Sequence, residues 1–169
     1  MRFNNLFGDT FVIPEAVSPA SGARIMGLDD PTVKMSKSIG AERAGHAIYI
    51  LDDEKATRKA IMSAVTDSGN ELRYEHASPG VRNLLTILQA FDGRPMAELE
   101  TELAGGGYGG LKKATAAAVL DTLLPLRTRF DAFMADRAAL DAVLERGAER
   151  ARAIAVPVLR RAQEALGVG

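Results

Sequence analysis

Lys34-Met35-Ser36-Lys37-Ser38 is the stretch around which this chain is organised. Its two lysines and two serines, with no β-branched residue among them, predict a short cationic loop rather than a helix or a strand. The turn formers Asp29-Asp30-Pro31-Thr32 precede it, and Gly40 just after it permits a hinge. Two ammonium groups on a flexible loop suit contact with a polyphosphate, with serine hydroxyls and backbone N–H groups as further donors. From this pattern alone, a solvated surface loop is the alternative.

The composition limits the classes of protein to consider. The chain has 169 residues, 47% of them hydrophobic, which allows one domain or one domain with part of another. Its net charge of −1 means that contact with a nucleic acid would need a local basic patch. Cysteine is absent, which excludes disulfides, thiolate metal sites and cysteine nucleophiles. No apolar run could span a bilayer and no signal-peptide pattern is present, so we expect a soluble, cytoplasmic chain without a membrane partner.

The first part of the chain predicts little regular structure. Arg2-Phe3-Asn4-Asn5 offers no convincing helix start. Residues 10–13 and 23–28 are short apolar or β-branched runs, and each predicts a strand or an extended segment. Two such strands cannot close a sheet that buries both faces. We therefore expect their partner strands to lie outside this sequence or in another chain.

From about residue 52 the hydrophobic period changes to that of helices and predicts an all-α bundle of about five of them. Ser78 is the expected N-cap of the second helix, with Pro79 at its first position. Pro125 and Pro157 are expected to kink or split the last two helices. The five are expected over residues 52–64, 79–91, 96–103, 111–134 and 138–166. The last is expected to turn these apolar residues inward: Leu140, Val143, Leu144, Ile154, Val158, Leu159 and Leu166.

Four arginines of the last helix form the clearest basic pattern outside the lysine loop. At 3.6 residues per turn they project within about 100° of one another, beside the apolar face. Such a ridge suits contact with a phosphate backbone, because each guanidinium offers a planar fork. The alternative is a solvated face balanced by Glu145, Glu149 and Glu164. The four are Arg146, Arg150, Arg160 and Arg161.

Three other patterns are assigned no chemistry. The glycines around Tyr108 lack both the preceding strand and the Gly-Lys-Ser/Thr ending of a phosphate loop, so a helix–helix corner is expected. His46 and His76 have no ligand-spaced partners, and we expect surface or cap roles rather than a metal site. The carboxylates at helix ends are explained as caps: Asp52, Asp53, Glu54 and Asp67.

Taken in order, the chain resembles the C-terminal half of bacterial tryptophanyl-tRNA synthetases over nearly its whole length. Residues 34–38 match the signature loop of class I aminoacyl-tRNA synthetases. Ala23-Arg24-Ile25-Met26 and Ala64-Val65-Thr66-Asp67-Ser68 narrow the resemblance to the tryptophan family. Further matching stretches are Arg2-Phe3-Asn4, residues 11–16, Asp30-Pro31-Thr32, Asn83-Leu84-Leu85, Gly107-Tyr108-Gly109 and Gly147-Ala148-Glu149.

The resemblance implies a role for each loop residue. In that family the loop closes over ATP while tryptophan attacks the α-phosphate, giving tryptophanyl-adenylate and pyrophosphate. Lys34 and Lys37 match the two loop lysines and would be catalytic, because they neutralise charge on the leaving pyrophosphate. The other implied ATP contacts are Ile25, which matches an aliphatic position against adenine, and the loop residues Met35, Ser36 and Ser38.

The resemblance also implies an architecture: a mainly α chain, with a helical bundle preceded by a remnant of a Rossmann-like α/β domain. Residues 1–45 would be that C-terminal remnant of the catalytic domain. Residues 46–169 would be the α-helical anticodon-binding domain. ATP with Mg²⁺, tryptophan and tRNA(Trp) are the implied substrates and partners, and the complete enzyme is expected to be a homodimer. The four-arginine ridge becomes a candidate contact with tRNA.

The chain departs from the family in one decisive respect. The second nucleotide motif of class I synthetases, His-Ile-Gly-His, is absent from the sequence, as are the segments that match the tryptophan pocket. We therefore expect this chain alone not to catalyse tryptophan activation. Two other hypotheses stay open, a stand-alone tRNA-binding helical module and an inactive partial gene product. A tyrosine-specific enzyme is a weaker match, because its lysine loop usually diverges.

Overall fold

A computed structural model of the chain describes residues 2–19 and 21–168. Within that part the structure is helical, with no strand and one isolated antiparallel bridge between Met26 and Lys34. The mainly α prediction is therefore confirmed. None of the described helices is both long enough and apolar enough to cross a membrane. The helices are α1 Arg2–Phe7, α2 Lys37–Glu42, α3 Glu54–Met62, α4 Pro79–Asp92, α5 Met96–Leu103, α6 Gly107–Ala135 and α7 Arg137–Leu166.

The chain forms two compact units. One contains Met1–Val17 and Phe130–Gly169, and the other contains Ser18–Arg129. The main hydrophobic core belongs to the second unit, where α3 to α6 bury leucine and isoleucine side chains almost completely. Each such side chain contributes about 1.5–3 kcal/mol by leaving water. The most deeply buried are Ile61, Leu84, Leu85, Leu99 and Leu111. The boundary predicted near residue 45 stays a prediction.

Neither of the two runs predicted as a strand or an extended segment forms a strand. Residues 10–13 are irregular, and residues 23–28 contribute a single bridging residue, Met26. Gly27 N–H donates to Val33 O at 2.8 Å and Met35 N–H donates to Ile25 O at 3.0 Å, so the polar groups of Met26 itself face away from Lys34. There the side chain of Asn83, from α4, accepts from Met26 N–H and donates to Met26 O, both at 2.9 Å. One carboxamide thus takes the place of a neighbouring strand.

A helix at the N-terminus, α1, replaces the irregular segment that the sequence predicts. Phe3 packs on Phe7 one turn later and on Phe11 beyond the helix, with ring centroids 4.9 Å apart in each pair. The side chain of Asn4 accepts from Phe11 N–H and donates to Phe11 O. These contacts with the following segment stabilise six residues that lack an N-cap signal.

The later helices follow the sequence with two corrections. α5 has the predicted bounds, and α4 begins at Pro79 after Ser78 as predicted. However, α6 begins at Gly107 rather than at residue 111, so the glycine corner supplies its first turn. Helical structure also continues through Pro125 and Pro157, so neither proline splits its helix, and the expected kinks stay a prediction.

The predicted inward face of α7 is largely exposed, and this prediction is wrong for the chain on its own. Leu144, Ile154 and Leu159 are 60%, 74% and 57% exposed, and Ala162 is the only described residue of the helix that is buried. The apolar period that suggested an inward stripe is present in the sequence. Within its own compact unit, the described residues leave most of this stripe exposed.

Candidate functional site

The lysine loop belongs to the compact unit Ser18–Arg129. It lies within residues 29–43, a segment that we call the excursion, and the base of this segment is ordered. Its first side is the bridge of Met26 with Lys34, which fixes the backbone of Lys34 in an extended conformation. Val33 N–H donates to Asp30 O at 3.2 Å, closing the turn that the Asp-Pro-Thr sequence predicts. The side chain of Lys34 is exposed. The backbone of the first lysine is therefore held while its ammonium group faces solvent.

The second lysine lies in a helix, which corrects the expectation of a loop throughout. Lys37 and Ser38 are the first two residues of α2, and Ser36 is its N-cap, with its hydroxyl accepting from Ile39 N–H at 3.3 Å. Serine is favoured at this position because its oxygen satisfies a free N–H of the first turn. The hydroxyl of Tyr49 also donates to Lys37 O at 3.4 Å. The Ser36 hydroxyl keeps its own hydrogen for a further acceptor.

Two exposed ammonium groups thus share one short excursion. In the described part of the chain, neither Lys34 nor Lys37 forms an ion pair with a carboxylate. The Ser38 side chain is exposed beside them. The site therefore presents unneutralised positive charge and hydroxyl donors to solvent, a donor set that suits phosphate oxygens.

The predicted adenine contact, Ile25, and the loop residue Met35 have a structural role that the sequence did not reveal. Both are half-buried and pack against the main core. They line an open apolar cavity of about 210 Å³ together with Ile48, Phe91 and Leu123, among others. Met35 thereby anchors the middle of the loop through its side chain.

A charged cluster closes the base of the excursion. The Asp29 carboxylate accepts from His46 Nδ1 at 2.6 Å through one oxygen and pairs with Arg43 Nη2 at 2.7 Å through the other. Burial raises the pKa of the Asp29 carboxyl, but the His46 hydrogen bond and the charge of Arg43 outweigh it and hold that pKa below its usual range. His46 is fully buried, so the surface or cap role expected for it is wrong. The partner of His46 is Asp29, which lies 17 positions away in the sequence, and helix and strand patterns cannot reveal a contact over that separation.

The four predicted arginines lie on α7, in the unit that contains Phe130–Gly169. All four side chains, Arg146, Arg150, Arg160 and Arg161, are exposed. Among the described residues of α7 the one ion pair joins Arg137 and Asp141. The glutamates that could have neutralised the ridge therefore leave it unpaired.

A second carboxylate joins distant segments of the chain. Asp67 accepts from Tyr108 Oη at 2.7 Å, which ties the turn after α3 to the first turn of α6. The nearby Ser78 hydroxyl, the Tyr108 hydroxyl and Gly69 N–H hold the pKa of the Asp67 carboxyl below its usual range. Asp67 thus links these two segments, a structural role in line with the one predicted for it.

The residues present do not suit a protein-held metal. Across residues 2–19 and 21–168 no three His, Cys, Asp or Glu side chains come together in a group that could hold an ion.

Comparison with known proteins identifies the family. The family model for class I tRNA synthetases of the W and Y type matches residues 1–124. Tryptophan–tRNA ligase 1 of Streptomyces coelicolor is 45% identical over 172 residues, covering 99% of this chain and 49% of that protein. The tryptophan–tRNA ligase of Mycobacterium leprae is also 45% identical, over 98% of this chain and 48% of that protein. The chain spans about half the length of the curated relatives that it matches.

Solved structures agree with the sequence relatives. Tryptophanyl-tRNA synthetase from Mycoplasma pneumoniae superposes with a TM-score of 0.86 at 30% identity, over 99% of this chain and 52% of that one. The enzyme from Campylobacter jejuni, solved with ADP and tryptophan, gives a TM-score of 0.63 at 30% identity, over 98% of this chain and 50% of that one. The lysine loop, the helical architecture and these matches lead to one conclusion: the chain belongs to the class I aminoacyl-tRNA synthetases of the tryptophan and tyrosine family.

Proposed function

We propose that the chain supplies the lysine-loop side of the ATP site, and a helical tRNA-binding region, in a cytoplasmic tryptophan–tRNA ligase. The observation that carries the proposal is the pair of exposed, unpaired ammonium groups of Lys34 and Lys37 on an excursion with an ordered base. The relatives named tryptophan–tRNA ligase, and the Campylobacter jejuni enzyme solved with ADP and tryptophan, support the choice of substrates.

In the proposed reaction, tryptophan carboxylate attacks the α-phosphate of ATP and pyrophosphate leaves. Negative charge grows on the β- and γ-phosphate oxygens as the bond to the α-phosphate breaks. Lys34 and Lys37 would stabilise that charge, and the Ser36 and Ser38 hydroxyls would donate to the same oxygens. Ile25 and the Met35 backbone would contact the adenosine. A terminal hydroxyl of tRNA(Trp) then takes the tryptophanyl group from the adenylate, and AMP leaves.

A chimera tests the catalytic part of this proposal. The chain would replace the matching half of the Streptomyces coelicolor ligase, and tryptophan-dependent ATP–pyrophosphate exchange would be measured. Because both lysines act on the transition state, we expect Lys34→Ala or Lys37→Ala to lower kcat by about 100-fold or more. Lys113→Ala, an exposed lysine on α6, is the matched control and should leave kcat unchanged. Equal activities in all of these variants would contradict the proposal.

A second function, a stand-alone tRNA-binding module, is favoured by the exposed arginines of α7. Four unpaired guanidinium groups on one helix face would contact phosphates without any catalysis. Filter binding of tRNA to this chain, repeated across salt concentrations, tests it. We expect the slope of log K against log salt to fall by about one for each contacting arginine replaced by alanine. A chimera that is inactive in exchange, together with steep salt-dependent tRNA binding by the chain, would favour the module.

The assembly expected for the complete enzyme, a homodimer, is part of the same proposal. Its test is the mass of the active chimera in solution, measured by sedimentation at the concentration used for the exchange assay. A monomer that retains full exchange activity would contradict it.

A further inference from the structure

The segment that carries both lysines begins and ends at one carboxylate. Asp29 stands before the Asp-Pro-Thr turn, and Arg43 is the C-cap residue of α2, with His46 shortly after it. Every residue of the lysine loop lies between these two points. Asp29 therefore joins the two ends of the excursion across its base. We call the contacts of Asp29 with Arg43 and His46 the clasp.

The clasp residues are also held by the backbone around them. Leu28 N–H donates to His46 O at 3.0 Å, and Val65 N–H donates to Leu28 O at 2.7 Å. Leu28 is 2% exposed and belongs to the main core. Asp29 thus follows directly on a residue that the core fixes. The carboxylate transmits that fixed position to α2 through Arg43.

The fit around His46 leaves little room for another arrangement. A Cβ at Gly27 would overlap the imidazole ring, so the backbone passes as close to the ring as a glycine permits. His46 Nδ1 donates to Asp29, because an ionised carboxylate has no hydrogen and can only accept. Within the described part of the chain His46 Nε2 has no hydrogen-bond partner. The one polar contact of this buried ring is therefore the contact with Asp29.

We propose that Asp29, Arg43 and His46 are positioning residues for the lysine loop: their clasp holds the base of the excursion so that Lys34 and Lys37 face one polyphosphate together. This inference rests on the proposed function only for the identity of the ligand. The Arg43–Asp29 pair is partly exposed, and on its own such a pair adds little to global stability. We expect this pair to affect how well the excursion is ordered rather than the stability of the whole chain.

The direction in which polyphosphate affinity changes distinguishes a positioning role of Asp29 from an effect of its charge alone. Removing Asp29 takes a negative charge away from a cationic site, so Coulomb attraction alone would make a polyphosphate bind more tightly. Loss of positioning would make it bind more weakly. Glu42→Ala measures the Coulomb effect by itself, because Glu42 is an exposed carboxylate at the end of α2 with no ion pair in the described structure.

The experiment measures binding of inorganic tripolyphosphate to the whole chain by calorimetry. We expect Asp29→Ala to weaken binding by about fivefold or more and Glu42→Ala to leave it equal or slightly tighter, since only the first breaks the charge-assisted bonds of the clasp. Tighter binding in Asp29→Ala would overturn the inference. A wild-type chain that binds no better than a Lys34→Ala/Lys37→Ala variant would count against the proposed function instead.

Hydrogen exchange tests the clasp independently of any ligand. In Asp29→Ala we expect amides of residues 32–43 to exchange about tenfold faster, while amides of α4 keep their rates, because the change is local. Arg43→Gln, which changes a side chain that is 46% exposed, should give the same pattern. Unchanged rates in residues 32–43 in both variants would overturn the clasp, and so would a parallel rise in α4.

Discussion

Replacing Asn83 with alanine should loosen the first side of the lysine loop. The side chain is 6% exposed and satisfies both polar groups of Met26, the residue that bridges to Lys34. Alanine would leave a partly buried N–H and C=O without partners, at about 1–3 kcal/mol each when water is excluded. Because Met26 is only half-buried, water would replace part of the loss. We expect a net loss of about 2 kcal/mol in the free energy of unfolding.

The assay is urea unfolding followed by circular dichroism, with thermal unfolding beside it. For a chain of this size a loss of about 2 kcal/mol corresponds to a fall of about 4–8 °C in Tm. Gln89→Ala is the matched control, because it removes a carboxamide from the same helix. That carboxamide makes one long hydrogen bond, of 3.5 Å, to Arg94 O. If both variants unfolded within about 0.5 kcal/mol of the wild type, the view that Asn83 replaces a strand would be refuted.

Three further predictions follow from close contacts and shifted pKa values. Gly80→Ala should destabilise the chain by about 2 kcal/mol, because its Cβ would overlap the Val65 carbonyl oxygen. Gly147→Ala should stabilise it by about 0.5–1 kcal/mol, because a Cβ at that position of α7 meets no other atom. Urea midpoints compare the two variants. Tyr108→Phe removes a hydrogen bond to Asp67 and should raise the lowered pKa of that carboxyl. The wild type loses stability as pH falls below about 4, and this loss should be smaller in the variant. Urea midpoints at pH 7 and pH 3 measure the loss, and an equal loss in both proteins would contradict the prediction. Arg94→Gln should let the lowered pKa of Asp92 rise without moving the pKa of Asp67, as carboxyl NMR titration would record, and an unmoved Asp92 would contradict the pairing.

Sequence periodicity located the helices of the second half because local rules decide them. α5 needs only its apolar spacing, and α4 is announced by a serine and a proline at its start. Where a distant partner decides the structure, the same rules failed. α1 depends on Phe11, which follows the helix, and the burial of His46 depends on Asp29. Side-chain partners far apart in sequence leave no periodic trace.

The exposed face of α7 shows a different limit. Its apolar period is real, and period alone predicts a buried stripe. Burial also needs a second surface, and the period of one helix carries no information about what lies opposite. The positions Leu144, Ile154 and Leu159 were therefore identified correctly as one face and placed wrongly in the interior.

The lysine loop combines both situations: its residue types could be interpreted from the sequence, whereas its geometry could not. Residue types alone indicate two cations and two hydroxyls for a polyphosphate. The backbone around them differs on the two sides: Lys34 is held extended through Met26 and Asn83, while Lys37 begins a helix capped by Ser36 and held through Arg43. Since each lysine has its own anchor, the separation of their ammonium groups depends on how both anchors attach to the core. Those attachments meet near Leu28, which lies two residues from Met26 and next to Asp29. The core of the compact unit is thereby the common reference for both charges.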